Sequence, residues 1–467
     1  MKVLSNIRPT PEQLSLVGQN REGVEVICGA AGSGKTTTAL LRLKSLCYMF
    51  NVRHQREGNT DPVKILVLTF NKTLAGYIKE LVHSQLPNTI NVELEITTFS
   101  KWAYHNVRPE KEIISYSSGL LYSYARAIDS LSHDYVVNEV EYLLGRFKPE
   151  NLSDYITAER TGRGISPRVE RTVRQRILDA VVIPYKEALN QRNAVDWNDI
   201  AVAMSEEVDS LGYEIVVVDE CQDFTANQLR AVKHHLGEHH TATFVTDTVQ
   251  RIYARGYTWI EAGYDVRPER SHILKANYRN TKEIAAFAAS VISGISVEAD
   301  GALPNLNEAN SSGNLPKVIV GFYSSQVKYA LDYIKNNVDL SCESVAFLHP
   351  KGWSGYLKSN LDREGISFVD ITRADSWPDD DDVNVAISTF HSAKGLEFDY
   401  VFILGLSDES TEYPEELAGD QLLVLRRLLA VAIARAKTDV IIGYKSGEES
   451  DLIKFFAPGT FNEVLLP

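Results

Sequence analysis

The chain has 467 residues, 44% of them hydrophobic and 24% charged, and its 48 basic and 62 acidic side chains give a formal net charge of −14. Because one hydrophobic core rarely serves so long a chain, we expect several domains. The composition argues against disorder, collagen and coiled coil as the main architecture. The negative charge excludes a basic coat for nucleic acid, so a polynucleotide would need a local groove that uses base stacking and directed hydrogen bonds.

Neither a membrane segment nor a cysteine framework is predicted. No apolar run approaches the roughly 20 residues of a membrane helix, and the first residues, MKVLSNIRPTPEQ, lack the apolar core of a signal peptide. The four cysteines are far apart and form no CxxC pair, so neither a zinc site nor a disulfide framework is expected. We therefore expect a cytoplasmic protein with buried free thiols and no membrane partner.

Two sets of short apolar runs, each followed by a helix-like segment, predict an α/β fold with two parallel sheets. The first set lies before about residue 270 and the second lies after it. The predicted strands are residues 24–28, 65–69, 215–218 and 243–246 in the first sheet, and residues 317–321, 344–348, 383–388 and 400–404 in the second.

A phosphate-binding loop (P-loop) is predicted at residues 29–36, where GAAGSGKT fits GxxxxGK[ST] between a predicted strand and a helix-forming run. The glycines let backbone N–H groups surround phosphate oxygens, and the helix N-terminus adds partial positive charge. Lys35 would reach the β- and γ-phosphates, and the Thr36 hydroxyl would bind Mg²⁺, so ATP and Mg²⁺ are the expected ligands. The predicted ligands of this segment are Gly29, Ala30, Ala31, Gly32, Ser33, Gly34, Lys35, Thr36 and Thr37.

A helical insertion is predicted at residues 104–204, where strand patterns give way to helical spacing, as in residues 137–147 and 177–190. Residues 160–176 carry six arginines and one glutamate. Such a run is often a solvated helix face, and that alternative stays open. Because the surrounding chain is acidic, a contact with nucleic-acid phosphates is the other interpretation, with Arg168, Arg171 and Arg174 as candidates.

An acidic pair follows the third predicted strand, in EIVVVDECQD at residues 214–223. A P-loop needs a carboxylate at the end of a neighbouring strand, so we expect Asp219 to hold Mg²⁺. Glu220 would polarise the attacking water. The alternative is that two acids simply end a strand, but the P-loop favours the catalytic interpretation.

The string DECQD resembles the DExQD box of UvrD/Rep-type superfamily 1 DNA helicases, and the other motifs of that family lie in order along nearly the whole chain. The resemblance implies two RecA-like P-loop NTPase domains. Domain 1A would comprise residues 1–103 and 205–270, a 1B-like helical insertion residues 104–204, and domain 2A residues 271–467, with arginine fingers.

The resemblance also implies nucleotide contacts outside the P-loop. They lie in RPTPEQLSLV, TDTVQRIYARG, ANYRN, STFHSAKGLEF and RRLLAVAIARAK. The implied roles are adenine recognition by Gln13 and Tyr278, γ-phosphate sensing by Gln250, nucleotide proximity for Gly395 and Glu397, and arginine fingers at Arg279 and Arg435.

Contacts with single-stranded DNA are implied by the same resemblance. One departure concerns this track: Ile252-Tyr253 runs straight into Ala254, without the aromatic residue that large members carry there, so Tyr257 or Trp259 would supply a ring. A separate departure lies in the last motif, where Ala430 and Ala434 replace the usual tyrosine and threonine while the arginine, Arg435, is kept. The implied DNA contacts are Phe70, Asn71, Thr98, Phe99, Tyr253, Trp259, Thr389 and His391.

The spacing between ANYRN and TFHSAKGLEF is about long enough for the second sheet alone. The bulky insertion of large family members is therefore expected to be absent, and the resemblance implies a compact motor. It implies an ATPase stimulated by single-stranded DNA, with 3′ to 5′ translocation and unwinding. Alternatives are an ATP-driven switch or motor subunit of a repair or anti-phage complex, with a protein partner such as a nuclease, and an RNA helicase.

Overall fold

The computed structural model of the chain contains two parallel sheets of six and seven strands. It describes residues 9–29, 33–69, 90–116, 119–159, 169–246, 257–274, 280–295, 311–372, 383–393, 396–412 and 418–467. The α/β class predicted from the alternation of strands and helices is confirmed.

The first sheet has the order β3-β2-β6-β7-β1-β8, and all of its pairs are parallel. Successive residues of a strand point to opposite faces, and here both faces are buried, which explains the continuous apolar runs. Ile65 and Val67 enter one core while Leu66 and Leu68 enter the other. The strands are β1 (Gly23–Gly29), β2 (Val63–Thr69), β3 (Val92–Thr98), β6 (Tyr213–Val218), β7 (Leu236–Thr246) and β8 (Ser271–Leu274).

Helices cover both faces of this sheet. The longest helix is the next element after β1, and it packs against the core that contains Ile65. The helices are α1 (Pro11–Val17), α2 (Lys35–Glu57), α3 (Phe99–Val107), α8 (Trp197–Glu206) and α9 (Ala226–His234).

The predicted helical insertion has its own hydrophobic core, built around residues such as Leu143 and Tyr185. Its two predicted helices are present, the second as a continuous helical stretch with a π turn at Leu178–Val182. A two-stranded parallel sheet, β4 (Glu112–Ile113) with β5 (Ala194–Val195), lies in the same region. The helices are α4 (Leu120–Ala125), α5 (His133–Arg146), α6 (Arg171–Ile177) and α7 (Ile183–Gln191).

The second sheet has the order β11-β12-β10-β13-β14-β9-β15, again with parallel pairs throughout. The described elements between Asn280 and Val385 belong to this sheet or to its two cores. The strands are β9 (Lys317–Val320), β10 (Val345–His349), β11 (Val369–Asp370), β12 (Val385–Thr389), β13 (Phe398–Ile403), β14 (Ala436–Tyr444) and β15 (Asn462–Leu465), with helices α10 (Lys282–Val291), α11 (Tyr323–Asn337), α12 (Gly355–Arg363) and α13 (Ala418–Ile433).

The four cysteine thiols differ in how far they are buried. Of the four thiols, Cys47 and Cys221 are buried as expected, but Cys28 is half-buried and Cys342 is exposed, so the prediction of four buried thiols is wrong. Cys342 lies in the turn before β10, where no core covers it.

Among the helices that the structure describes, none has the length and apolarity to cross a lipid bilayer.

Candidate functional site

The predicted P-loop lies between β1 and α2, and the glycines at its two ends are constrained in different ways, Gly34 by its backbone conformation and Gly29 by its neighbours. Gly34 is the N-cap of α2 with φ 77°, a left-handed conformation that glycine adopts without strain. A Cβ atom at Gly29 would clash with the Ser33 hydroxyl and would lie 2.9 Å from the Leu274 carbonyl oxygen, which belongs to the backbone and cannot turn aside. The turn therefore sets the N-terminus of α2 directly after a strand, which is the arrangement that binds phosphate.

Two polar side chains lie against this turn. Gln13 is 5% exposed, its Oε1 accepts the backbone N–H of Thr10 at 2.9 Å, and its Nε2 donates to the carbonyl of Gly34 at 3.5 Å. Ser33 is buried, and its hydroxyl oxygen has no hydrogen-bond partner among the described residues. Since a buried hydroxyl without a partner is unfavourable, Ser33 fits a ligand rich in oxygen atoms, such as a phosphate. Adenine recognition by Gln13 stays a prediction.

A threonine and an aspartate meet at the metal-binding position. Thr36, in the first turn of α2, donates its hydroxyl to the Asp219 carboxylate, with distances of 3.1 and 3.2 Å to the two oxygens. Asp219 directly follows β6, and its backbone N–H donates to the Leu68 carbonyl of β2 at 2.8 Å. Hard oxygen donors in this arrangement suit Mg²⁺. Burial, and then the charge of Glu220, raise the pKa of the Asp219 carboxyl to about 7, and a cation would offset both effects.

Glu220 adopts a left-handed backbone conformation, with φ 53°. Non-glycine residues rarely adopt it, and such strained residues concentrate at functional sites. The side chain is 7% exposed, and Gln222 Nε2 donates a hydrogen bond to its carboxylate. Gln222, the glutamine of DECQD, is therefore a positioning residue, a role that the sequence motif alone did not assign to it. Glu220 directly follows Asp219 in the chain, so it stands beside the Thr36–Asp219 pair, where a general base for the attacking water is needed.

In the second half, Arg435 lies beside the residues that directly precede β13, which include Glu397. Arg435 is 3% exposed, its guanidinium donates to the Leu396 carbonyl at 3.3 Å, and its own carbonyl accepts the Phe398 N–H at 3.0 Å. Lys437 Nζ lies 3.6 Å from the Glu397 carboxylate. The structure therefore brings together two predicted site residues that are 38 positions apart in number.

Asn280 is a site residue to which the sequence analysis assigned no role. It is 1% exposed, and its side-chain amide donates to the carbonyls of Ala434, at 3.1 Å, and Ala436. These carbonyls flank Arg435. The last letter of ANYRN is the available sequence signal, because an asparagine beside a predicted arginine finger can anchor the backbone of a second one.

Sequence profiles of a known family match both halves of the chain. The UvrD/REP helicase N-terminal domain matches residues 10–257, which is more than half of the chain, and the UvrD-like helicase C-terminal domain matches residues 366–447. The chain belongs to the UvrD/REP helicase family.

Individual relatives of this UvrD/REP-family chain are distant. A probable DNA helicase of Mycoplasma pneumoniae is 23% identical over 95% of this chain and 84% of its own length. ATP-dependent DNA helicase PcrA of Leuconostoc citreum is 23% identical over 59% of this chain and 38% of its own length. PcrA of Bacillus subtilis is 25% identical over 62% and 40%. The chain thus spans less than half the length of the PcrA proteins that it matches.

The predicted DNA contacts of the family's first half lie in two different settings. Thr98 is the N-cap of α3, where its hydroxyl oxygen accepts the Lys101 N–H at 3.4 Å. Phe99 is 5% exposed, with its ring centroid 5.6 Å from that of Trp102. Trp259 is half-buried and lies 5.2 Å from the Phe244 ring. This packing favours a core role for Phe99 over the predicted DNA contact and leaves Trp259 only partly available for stacking.

The arginine-rich segment of the insertion divides in the same way. Arg171 is exposed at the start of α6. Arg174 instead donates to backbone carbonyls, including Val169 at 3.1 Å and Ala158 at 2.7 Å, and its guanidinium lies 5.8 Å from the Tyr155 ring centroid. This arrangement favours a structural role for Arg174 over the predicted phosphate contact.

In the second half, Thr389 ends β12 and His391 is exposed in the turn that follows. Thr389 Oγ1 lies 3.1 Å from both the Oγ and the backbone N of Ser392, so this turn is held by its own hydroxyl groups. The remaining predicted site residues lie outside the described residues: Ala30, Ala31, Gly32, Phe70, Asn71, Arg168, Gln250, Tyr253, Tyr278, Arg279 and Gly395.

Proposed function

We propose that this chain is an ATPase stimulated by single-stranded DNA, which translocates 3′ to 5′ and separates DNA strands. The observation that carries the proposal is the pairing of Thr36 with Asp219 at 3.1 Å, in the first turn of the helix that follows the P-loop and begins at the left-handed Gly34. Membership of the UvrD/REP helicase family supports DNA as the polymer, as do relatives that are named DNA helicases.

The first half would bind the nucleotide. The backbone N–H groups of residues 29–37 and the Lys35 ammonium would hold the phosphates, while Gln13 would contact the base. Thr36 and Asp219 would hold Mg²⁺, which when bound neutralises charge on the phosphate oxygens. Glu220, positioned by Gln222, would take the proton from the attacking water.

The second half would complete the reaction. The Arg435 guanidinium donates to the Leu396 carbonyl, and Asn280 holds the carbonyl of Ala434, the residue before Arg435. Arg435 would stabilise charge on the γ-phosphate. One arginine finger is worth roughly a thousand-fold or more in rate, so turnover would depend on both halves. The family resemblance adds Gln250, Tyr278, Arg279, Gly395 and Glu397 to the nucleotide-binding set.

Coupling to DNA would follow from this division of labour. ATP would favour a closed arrangement of the halves, and loss of phosphate would release it, so that DNA contacts in each half grip in turn. We propose 1A at residues 1–103 and 205–270, 1B at 104–204, and 2A at 271–467. Thr98 and Arg171 in the first half, with Thr389 and His391 in the second, would belong to the DNA track.

Steady-state ATP hydrolysis tests the proposal, measured without polymer and with single-stranded DNA, duplex DNA or single-stranded RNA, at two salt concentrations. We expect strong stimulation by single-stranded DNA, weakened by salt because phosphate contacts release counterions. Strand displacement from duplexes with a 3′ or a 5′ overhang then tests polarity, and a 3′ requirement is expected. Basal hydrolysis with every polymer would refute the proposal.

A further inference from the structure

Exposed aromatic rings lie near the carboxyl ends of strands in the second sheet. Phe322 directly follows the β9 region and is 62% exposed, while Trp353 and Tyr356 follow β10 and are 47% and 51% exposed. Large apolar side chains at the same edge of a sheet are unusual on a surface that only faces water. The carboxyl ends of parallel strands are also where α/β folds bind ligands.

The ring of Trp353 is held firmly although about half of it is exposed. It stacks on the buried His349 ring, with centroids 5.6 Å apart and an interplanar angle of 30°. His349 Nδ1 accepts the backbone N–H groups of both Lys351 and Trp353, each at 3.2 Å. Burial, and then the charge of Lys351, lower the pKa of His349 to about 4, so the supporting ring is neutral at pH 7. A rigid ring of this kind loses little conformational freedom when a ligand stacks on it.

A cation accompanies this ring. Lys351 Nζ lies 5.1 Å from the Trp353 ring centroid and donates to the Glu409 carbonyl at 2.6 Å. A second ammonium, of Lys445, lies 5.3 Å from the Phe322 ring centroid, but it is paired with the Glu448 carboxylate. The Lys351 ammonium donates to a neutral carbonyl, so in a chain with a net charge of −14 the Trp353 ring and Lys351 form a local pair that suits a base and a phosphate together.

The Trp353 loop is continuous with the proposed DNA track. In the parallel pairing of β10 with β12, His349 is the direct partner of Thr389. Gly352 has φ 72°, and a Cβ atom there would lie 3.1 Å from Thr389 Cγ2. The loop therefore packs closely on Thr389, two residues before the exposed His391, and a strand bound at that turn would reach Trp353.

We propose that Trp353 is a base-stacking ring for single-stranded DNA, with Lys351 as the neighbouring phosphate contact. This inference rests on the DNA-binding function proposed above. Stacking on an indole is available to every base, because every base has a π-face, so the site adds affinity with little sequence preference. It would also give the second half a grip on bases that the sequence motifs do not supply.

Fluorescence anisotropy with a labelled oligo(dT) tests the proposal on the full chain. Trp353→Ala should raise Kd by about 5- to 150-fold, the range that base–aromatic stacking supplies, whereas Trp353→Phe should retain most of the affinity. A salt series separates the two roles. Trp353→Ala should shift the plot of log Kd against log salt without changing its slope, and Lys351→Gln should reduce the slope by about 0.7.

Tyr48→Ala provides the matched control, because Tyr48 is a 44% exposed ring on α2. The affinity of this variant for oligo(dT) should equal that of the wild type. Thermal melting checks that each variant is folded, and 5-iododeoxyuridine cross-linking should place the oligonucleotide on the peptide that contains Trp353. Wild-type affinity in a folded Trp353→Ala variant would overturn the stacking role alone. A wild-type protein that binds no single-stranded DNA would overturn the proposed function as well.

Discussion

Replacing Glu220 with glutamine tests the most specific chemical role in the site. Glutamine has nearly the same shape, and its Oε1 can still accept the hydrogen bond from Gln222, so the change removes only the negative charge. A positioned general base contributes about 10²- to 10⁴-fold, so kcat should fall by a factor in that range, or about 2.7–5.4 kcal/mol in the barrier. Removal of a carboxylate adjacent to Asp219 also relieves like-charge repulsion, so the variant should unfold at no lower a temperature.

The assay is steady-state ATP hydrolysis with saturating oligo(dT), combined with equilibrium binding of a fluorescent ATP analogue. Affinity for the nucleotide should stay close to that of the wild type, because Glu220 would contact the water rather than the phosphates. Glu238→Gln, an exposed position in the first sheet, is the matched control. A Glu220→Gln variant with normal kcat would refute the assignment, and a loss of affinity alone would move Glu220 to nucleotide binding.

Further predictions concern the arginines and a buried histidine. Arg435→Ala should lower kcat more than ATP affinity, since a finger acts in the transition state; single-turnover hydrolysis would show this, and an unchanged rate would exclude the role. Arg171→Gln should flatten the salt dependence of DNA binding, whereas Arg174→Gln should lower the melting temperature and leave that slope unchanged, because Arg174 is held by backbone carbonyls. Burial lowers the pKa of His235 from 6.5 to about 4, so the unfolded chain takes up a proton first as the pH falls. The contribution of His235 to the free energy of unfolding should therefore drop by about 3 kcal/mol between pH 6.5 and 4, measured in urea titrations as the difference between the wild type and His235→Gln.

Much of the fold followed from local pattern. The eight predicted strands are present to within two residues at most of their ends, except that β7 begins earlier, at Leu236. Five other strands of the two sheets were not predicted. In β3, VELEITT carries two glutamates on an edge strand, so the apolar run that marks an interior strand is missing. In β11 and β15 the strands are short edges as well.

The candidate site shows the same division. GAAGSGKT and DECQD each indicate their chemistry from a few consecutive residues, since a phosphate-binding turn is built from local backbone geometry. Sequence spacing gave no warning that Phe99 would be buried or that Arg174 would be occupied by carbonyls. Those outcomes depend on what packs against the segment, and Trp102 and Tyr155 do so only in the folded chain.

Local residue patterns were enough to predict the α/β class, the P-loop, the acidic pair and the helicase family, because each depends on short runs of residue types. Which distant groups meet depends instead on how the folded chain packs. Thr36 reaches Asp219 because β1, which precedes it, and β6, which precedes Asp219, both pair with β7. Trp353 lies near Thr389 because β10 pairs with β12. Parallel strands bring together the ends of segments far apart in the chain, and their order in the sheet is set by packing rather than by any local pattern.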